Sequence, residues 1–396
     1  MKNSVCLLWL EGVRPESLST VPSLAKLATS GVDLQLAPLP LSEKSVCYYQ
    51  TLTGMGSGKF GRFDAVYPAG YKAQEDTSVP DGVFGRLLPD ILRSRKLAVT
   101  FLETKNRDML DTLAGQTYDC AIVRLLDLGN ANNAEIDAIV RHCAGLLAPE
   151  THLLVLTDVW SQPVQKLVNI NDFLADVGLL EVGAVRDQAH IIWPETLAYG
   201  LGTGQVWINL RGRDPQGIVG SGREYQDVCD ALINELGTNW RDPETNEPVV
   251  EQVLRKEEAY SGDYLFKAPD LIVVFRPGYG ASTKAAALNF DGRSVRSGYA
   301  LEAPPSAPSA RLIAGGPCLA SGLVEAGKLV DIMPSLMYLL DRPVPAYVDG
   351  NVISSMFTQV YREQTPIRHL DSDDDLLSDE EEGMIVDRLR DLGYLG

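Results

Sequence analysis

Short runs of apolar residues alternate with amphipathic segments along most of this 396-residue chain. Apolar runs of this kind, each of which predicts a strand, occur at residues 5–10, 97–102, 120–126, 153–157, 271–275 and 311–314. Residues 22–30, which precede Gly31, and residues 134–147 have the periodicity of helices. Strands that are apolar on both faces and separated by helices are typical of a mostly parallel sheet. We therefore predict an α/β fold with a mostly parallel central sheet and helices on both of its faces.

The chain changes in composition at two places. Residues 180–265 are richer in Gly, Pro and charge, which indicates an inserted cap. We expect one α/β domain over residues 1–362 that contains this cap, followed by residues 363–396 as an acidic linker and a C-terminal docking helix. The acidic residues of that tail are Asp371, Asp373, Asp374, Asp375, Asp379, Glu380, Glu381 and Glu382.

Charge and cysteine usage exclude several classes of protein. The formal net charge of −18 argues against binding to nucleic acid and to anionic membrane surfaces. No apolar stretch is long enough to span a membrane, and the apolar run near the N-terminus is too short for a secretory signal. Six scattered cysteines without C-x-x-C pairs favour buried free thiols. These features predict a cytoplasmic protein.

Acidic residues follow three of the predicted strands. Glu11 follows the first strand, Asp127 follows residues 120–126, and Asp158 follows residues 153–157. Functional groups of open α/β sheets collect at the carboxyl ends of the strands. The three carboxylates are therefore the first candidates for a site.

Several ordered motifs resemble the type I phosphodiesterase and nucleotide pyrophosphatase-like branch of the alkaline phosphatase superfamily. The stretch T-L-T-G-M-G-S-G-K-F-G-R-F-D at residues 51–64 is similar to that branch's F-L-T-G-x-x-P-G-K-H-G-x-F-D. Residues 207–219 resemble its I-N-L-x-G-R-x-P-x-G-I-V motif, and L-W-L-E-G at residues 8–12, P-D-L-I-V-V-F-R-P-G-Y at 269–279 and the C-terminal R-L-R-D-L-G-Y-L-G also match. The resemblance implies an alkaline phosphatase-like fold.

The resemblance also implies a site that this chain has lost in part. That family hydrolyses phosphate esters with two metal ions, held by Asp and His, and a Ser or Thr nucleophile. The first family Asp corresponds to Glu11, and the nucleophile corresponds to Lys44, or to Ser42 or Ser45 after a small shift. The family histidines correspond to Ala131, Val159 and Ser306; the chain's histidines are His142, His152, His190 and His369, and none has the spacing of a metal ligand.

Three carboxylates that converge without a metal would repel one another and need a cation. We hypothesise that Lys44 supplies this cation and, with Glu11 and Asp158, forms the remnant of the catalytic site. The predicted ligand-binding residues are Asp127, Arg293, Arg296 and Tyr49. The two arginines could hold an anion, whereas for Tyr49 we favour packing over stacking on a ligand.

Three functions remain open from the sequence. The preferred one is a non-hydrolytic pseudoenzyme, or a metal-independent repurposed protein, that binds a small anionic ligand or a protein partner and needs no cofactor. The second is an atypical phosphodiesterase that uses Mg²⁺ or Mn²⁺ bound by Glu11, Asp127 and Asp158, since carboxylates alone bind hard cations. The third is a biosynthetic enzyme with Lys44 and Glu11 as acid–base groups. Whether the chain is an enzyme is therefore undecided at this stage.

Overall fold

A computed structural model describes residues 3–37, 44–64, 66–75, 78–157, 164–185, 188–281, 294–301, 310–323 and 326–370. The side chains of Lys44 and Arg296 also lie outside the described part. The predicted acidic tail, Asp158, Arg293 and Ser306 fall outside these ranges, and so their predicted roles stay predictions.

The described strands, in chain order, are β1 (Ser4–Leu10), β2 (Val32–Ala37), β3 (Val66–Ala69), β4 (Lys72–Glu75), β5 (Val99–Thr104), β6 (Cys120–Leu125), β7 (Thr151–Thr157), β8 (Val164–Val168), β9 (Val182–Val185), β10 (Gln188–Ile191), β11 (Ala198–Leu201), β12 (Gln205–Ile208), β13 (Val250–Arg255), β14 (Leu271–Phe275), β15 (Tyr279–Ala281), β16 (Val295–Leu301), β17 (Ala310–Gly315), β18 (Gly322–Leu323) and β19 (Gly327–Lys328). The described α-helices are α1 (Pro22–Ser30), α2 (Lys44–Thr53), α3 (Ser57–Phe60), α4 (Leu88–Ser94), α5 (Asn133–Leu146), α6 (Ile170–Asp176), α7 (Arg223–Asn234), α8 (Lys256–Ala259), α9 (Ile332–Leu339) and α10 (Gln359–Gln364).

A central sheet organises the molecule. Its strand order is β18-β2-β17-β7-β1-β6-β5, with β19 also paired to β2. Strands β5, β6, β1 and β7 are parallel, and β17 is antiparallel to both of its neighbours. The sheet is therefore mostly parallel, as predicted.

Both faces of this sheet are covered by helices, and the apolar residues of β1 after Ser4 are buried on both sides. Its residues Cys6, Leu8 and Leu10 face a core that also contains residues of α1 and α5. The alternate residues Val5, Leu7 and Trp9 face a second layer built from α2, α4 and α9. Burying each of the leucines contributes roughly 1.5–3 kcal/mol. The predicted α/β architecture is confirmed, and helix α1 has the predicted bounds.

A second hydrophobic core lies outside the central sheet. It combines the antiparallel sheet β11-β12-β14-β13 with helices α6 and α7. Trp240 stacks on Phe173 at its centre, with ring centroids 4.7 Å apart. Most of the predicted cap contributes to this core, although the bounds of that cap remain a prediction.

Two motifs that carry the family resemblance meet inside this second core. Arg213 lies in the 207–219 motif and Asp270 in the 269–279 motif. The guanidinium of Arg213 donates two hydrogen bonds to the Asp270 carboxylate, at 3.1 and 2.8 Å. Asp270 is buried and also accepts from the Tyr225 hydroxyl and the Ile208 amide. These motif residues therefore stabilise the fold.

The Gly-rich stretch of the 51–64 motif also makes structural contacts. Gly54 ends α2 in the left-handed region, with φ +67°. The Gly56 amide donates to the Asp349 carboxylate at 2.7 Å, and Lys59 forms an ion pair with the same carboxylate at 2.8 Å. This segment therefore joins α2 to the loop that contains Asp349.

Five of the six cysteines are buried and Cys318 is partly exposed, and all six are free thiols. This agrees with the prediction of buried thiols. No helix in the described part of the chain is both long and apolar enough to cross a bilayer.

His152 is a buried core residue at the amino end of β7. Its Nε2 accepts from the Cys318 amide at 3.1 Å, so its Nδ1 carries the proton and donates to the Ser4 carbonyl, also at 3.1 Å. Burial lowers the pKa of His152, although the hydrogen bond to Ser4 opposes this shift. The folded protein therefore holds His152 neutral.

We expect Asp270→Ala to lower the free energy of unfolding by about 3–5 kcal/mol, because it removes a buried carboxylate from its ion pair with Arg213 and leaves the Tyr225 hydroxyl and the Ile208 amide without their acceptor. Urea denaturation at neutral pH measures the change. Arg93→Ala, which breaks an exposed pair with Asp90, is the matched control and should cost far less. Equal losses in the two variants would show that the motif pair does not stabilise the core.

We expect the contribution of His152 to stability to be complete above its ordinary pKa of about 6.5 and to fall as the pH drops below it. The unfolded chain binds the proton more readily than the folded chain does, because the pKa of the folded state is the lower one. The stability difference between wild type and His152→Gln should therefore shrink on acidification. His142→Gln changes an exposed histidine that pairs with Asp111 and controls for the effect of replacing any histidine by glutamine. If the stability difference between wild type and His152→Gln does not change with pH, the prediction is wrong.

Candidate functional site

The carboxyl edge of the central sheet brings two of the predicted acids to the same place. Leu10 of β1 lies beside Leu125 of β6, so Glu11 and Asp127 both follow their strands at this edge. The Leu128 amide donates to the Glu11 carbonyl at 2.9 Å, which joins the two loops. Thr157, the last residue of β7, is level with Leu10, and Asp158 follows it in the sequence outside the described residues.

The two loops at this edge depend on unusual backbone conformations. Gly12 has φ +84°, and a Cβ atom at that position would lie 2.7 Å from the Gly129 nitrogen. Only glycine therefore permits this close approach. Asp127 has φ +59°, which is uncommon for a residue with a side chain and is found most often at turns and functional sites.

Arg124 is the central cation of the described part of the edge. In the parallel register it lies between Trp9 of β1 and Glu103 of β5, so the three side chains share one face of the sheet. Its guanidinium forms ion pairs with Glu11 at 2.7 Å and with Glu103 at 2.6 Å. One guanidinium thus pairs with two carboxylates, one after β1 and one in β5, on either side of its own strand.

Aromatic rings cover this guanidinium. The Arg124 Cζ lies 5.1 Å from the ring centroid of Trp9 and 4.8 Å from that of Tyr48 on α2. The two rings are themselves stacked, with centroids 5.9 Å apart. Burial raises the pKa of Tyr48 and the Glu103 charge adds to this shift, while Arg124 opposes it. The covering rings strengthen the ion pairs by excluding water.

Asp127 has a different partner from Glu11. Its carboxylate forms an ion pair with Lys105, and both side chains are exposed. The hydrogen bond that Lys105 donates to Asp127 raises the pKa of Lys105, and the charges of Asp127 and Glu11 add to this shift. Glu11 and Asp127 therefore each have a cationic partner that the sequence did not suggest.

The other predicted site residues are placed as follows. Lys44 begins helix α2 and Arg296 lies in β16, but the pairing of Lys44 and the anion binding of Arg296 stay predictions. Tyr49 packs against the core, with its ring 5.8 Å from Phe60 and 5.5 Å from the Arg62 guanidinium. Ala131, where the resemblance places a family histidine, packs against the core that contains α5.

All four histidines lie in the described part of the chain, at four separate places in the fold. His152 is at the amino end of β7, which is opposite to the edge that carries Glu11. His142 lies on α5 and pairs with Asp111. His190 lies in the β9–β10 hairpin. His369 forms a β-bridge with Val344. Within the described residues, no three His, Cys, Asp or Glu side chains are grouped as metal ligands.

Sequence reasoning missed Arg124, Glu103 and Lys105. The signal for Arg124 was present, because it is the one charged residue in the apolar run at residues 120–126. A charge in such a strand is costly unless it has a partner. Its partners, however, depend on the strand order β1-β6-β5, which the sequence does not specify.

Comparison with solved structures shows the same fold in a known group of proteins. Human ectonucleotide pyrophosphatase/phosphodiesterase 5 matches with a TM-score of 0.54 and 13% sequence identity, over 92% of this chain and 99% of that chain. The murine protein matches with a TM-score of 0.53 and 13% identity, over 88% and 97%. An inactive variant of the murine protein in complex with AMP matches with a TM-score of 0.54 and 13% identity, over 92% and 100%.

No protein-family profile matches the sequence, and no curated protein sequence matches it either. The likeness therefore establishes the fold alone. The chain has the alkaline phosphatase-like fold of these phosphodiesterases, which confirms the predicted fold.

We expect Arg124→Met to lower the free energy of unfolding by roughly 1.5–3 kcal/mol near neutral pH, because two partly buried carboxylates lose their shared cation. Urea denaturation measures the loss. The loss caused by Arg124→Met should be much smaller in a protein that already carries Glu11→Gln and Glu103→Gln, because the two carboxylates then no longer repel each other. Lys105→Met, which breaks an exposed pair, is the control; a loss as large as that of Arg124→Met would contradict the central role of Arg124.

Proposed function

We propose that this chain is a non-hydrolytic protein that keeps the phosphodiesterase-like fold and uses its former metal edge to bind a small anionic ligand or a protein partner. The observation that carries this proposal is the Arg124 guanidinium between Glu11 and Glu103. It stands beside the carboxylate that, by the resemblance, takes the place of the first metal ligand.

A guanidinium in this position opposes metal binding for two reasons. It is charged at every physiological pH, so a divalent ion at Glu11 would meet a fixed positive charge. It also occupies carboxylate oxygen lone pairs that a metal would need. The described donors therefore do not fit the two-metal centre that the resemblance implies, whose tight zinc sites use histidine as well as carboxylate.

The proposed negative charge of the ligand is supported by basic residues whose side chains the structure does not describe. Arg293 and Arg296 precede the loop that the resemblance places over the edge, and two guanidinium groups can hold an anion. Lys44, predicted at the nucleophile's place, would add a third positive charge. These residues support an anionic ligand over a neutral one.

A second candidate function is a phosphodiesterase that uses Mg²⁺ or Mn²⁺. Asp127 favours it, because its carboxylate is exposed and its backbone is held in the left-handed region at a strand end. Glu11, Asp127 and Asp158 would then hold a hard cation. This reading requires Glu11 to exchange Arg124 for the metal.

Elemental analysis and an assay of hydrolysis separate the two candidates. We expect the purified protein to contain substoichiometric zinc, manganese and magnesium, and bis(p-nitrophenyl) phosphate to remain intact with any of these ions added. Turnover that is abolished by a chelator and by Asp158→Ala would contradict the proposal and support the second candidate.

The role of Arg124 can be tested in the same preparation. Arg124→Met should bind Mn²⁺ more tightly than the wild type, because it frees the Glu11 carboxylate; Arg223→Met, which removes a cation paired with Asp227 and leaves the partners of Glu11 and Asp127 in place, is the control. Electron paramagnetic resonance of free Mn²⁺ measures both. Unchanged Mn²⁺ binding in Arg124→Met would show that the guanidinium does not exclude the metal.

A further inference from the structure

A cavity of about 450 Å³ lies between the β3–β4 hairpin and the second hydrophobic core. This volume is in the range of small-molecule sites. Part of its wall belongs to that core: Trp207 packs there, and Arg213 is paired with Asp214. Another part comes from the hairpin, which contributes Tyr67 and Pro68. The cavity therefore has one fixed wall and one wall whose position depends on the hairpin.

The β3–β4 hairpin is a separate sheet of two strands. Within the described residues its strands pair only with each other, from Val66 opposite Glu75 to Ala69 opposite Lys72. A hairpin of two strands is at best marginally stable on its own in water. It therefore needs contacts with the rest of the protein to stay beside the cavity.

The side chain of Tyr71, at the turn of the hairpin, makes such contacts with the second core. Its ring stacks on Trp193, with centroids 3.6 Å apart and planes at 6°, and lies edge-on to Tyr199 at 5.8 Å. Its hydroxyl donates to the Asn209 Oδ1 at 2.7 Å and accepts from the Gln216 amide at 2.9 Å. One side chain thus attaches the tip of the hairpin by stacking and by two hydrogen bonds.

The backbone of the turn does not favour a tyrosine at this position. Gly70 and Tyr71 are its two central residues, with φ +56° and φ +70°. Hairpin turns with two positive φ values prefer Asn and Gly, and such a φ is unusual for a bulky side chain. The contacts of the Tyr71 side chain therefore hold the turn in place against its local preference.

The base of the hairpin is attached independently of its tip. Asp64, which precedes β3 by two residues, is buried and accepts a hydrogen bond from Gln205 at 3.0 Å. Ser78, which follows β4 by three residues, accepts a hydrogen bond from the Arg62 guanidinium. Release of Tyr71 would therefore free the tip while both ends of the hairpin stay anchored.

We propose that the β3–β4 hairpin is a strap that opens and closes this cavity, and that Tyr71 is the latch that holds it closed. The structure shows the closed state, with Tyr67 and Pro68 in the cavity wall. Separation of Tyr71 from Trp193 moves the strap away about its base and exposes the wall around Trp207. Local opening of this kind leaves the rest of the fold intact. The proposal does not depend on the function proposed for the sheet edge.

Hydrogen exchange of the full-length protein, followed by mass spectrometry, tests the latch with Tyr71→Gly. Glycine suits the turn better than tyrosine but has no ring or hydroxyl. We expect the amides of residues 66–75 to exchange at least about ten-fold faster in this variant, because the hairpin loses its contacts with the second core. Unchanged or slower exchange would show that the turn alone holds the hairpin, and would overturn the proposal.

Trp193→Leu tests the same contact without changing the hairpin. It removes the ring on which Tyr71 stacks, so we expect residues 66–75 to exchange faster in this variant as well. Phe173→Leu is the matched control, because it removes a ring that stacks on Trp240 in the same core. It should leave exchange at residues 66–75 unchanged. Equal acceleration in the two variants would mean that the core is loosened as a whole, and would contradict the proposal.

Hydroxyl-radical footprinting of the same proteins tests whether the cavity opens. Trp207 lines the cavity and is 4% exposed, whereas Trp240 is 1% exposed and does not line it. We expect oxidation of Trp207 to rise about three-fold or more in Tyr71→Gly and in Trp193→Leu, because a hairpin without its latch is mostly open. Oxidation of Trp240 should not change. No rise at Trp207, or an equal rise at both tryptophans, overturns the proposal.

Discussion

The guanidinium of Arg124 determines what the carboxyl edge of the sheet can do. It is held from both sides by carboxylates of neighbouring strands and covered by Trp9 and Tyr48. A delocalised cation that is desolvated in this way needs the carboxylates beside it, so it fixes the positions of Glu11 and Glu103. Chemistry that needs Glu11 as a base or as a metal ligand must first remove this partner.

The fold could be predicted from the sequence because its signals are local. The unbroken apolar run of β1 allows burial on both faces, and the structure divides it between two cores. Helix α1 begins at Pro22 and stops before Gly31, and both residues act within one turn of the helix end. The limits of β5 were less well predicted, because its residues are only partly buried and give a weaker pattern.

The candidate site could be predicted only in part. The position of Glu11 and Asp127 at one edge follows from their places after two parallel strands, which the sequence shows. Their partners depend on the order of the strands and on long side chains that reach the neighbouring strand. Arg124 lies in β6, between Glu11 and Glu103, and Lys105 follows β5 and reaches Asp127. No pattern along the chain reports such contacts.

The motifs that carry the family resemblance largely stabilise the fold. Arg213 binds Asp270, and Lys59 binds Asp349, in places where a partner is needed to offset the burial of charge. These contacts stabilise the fold of this chain whatever chemistry the edge performs. This explains how the chain can share its fold with phosphodiesterases at only 13% sequence identity. Buried contacts of this kind hold the fold together, and function has to be argued from the residues at the edge of the sheet.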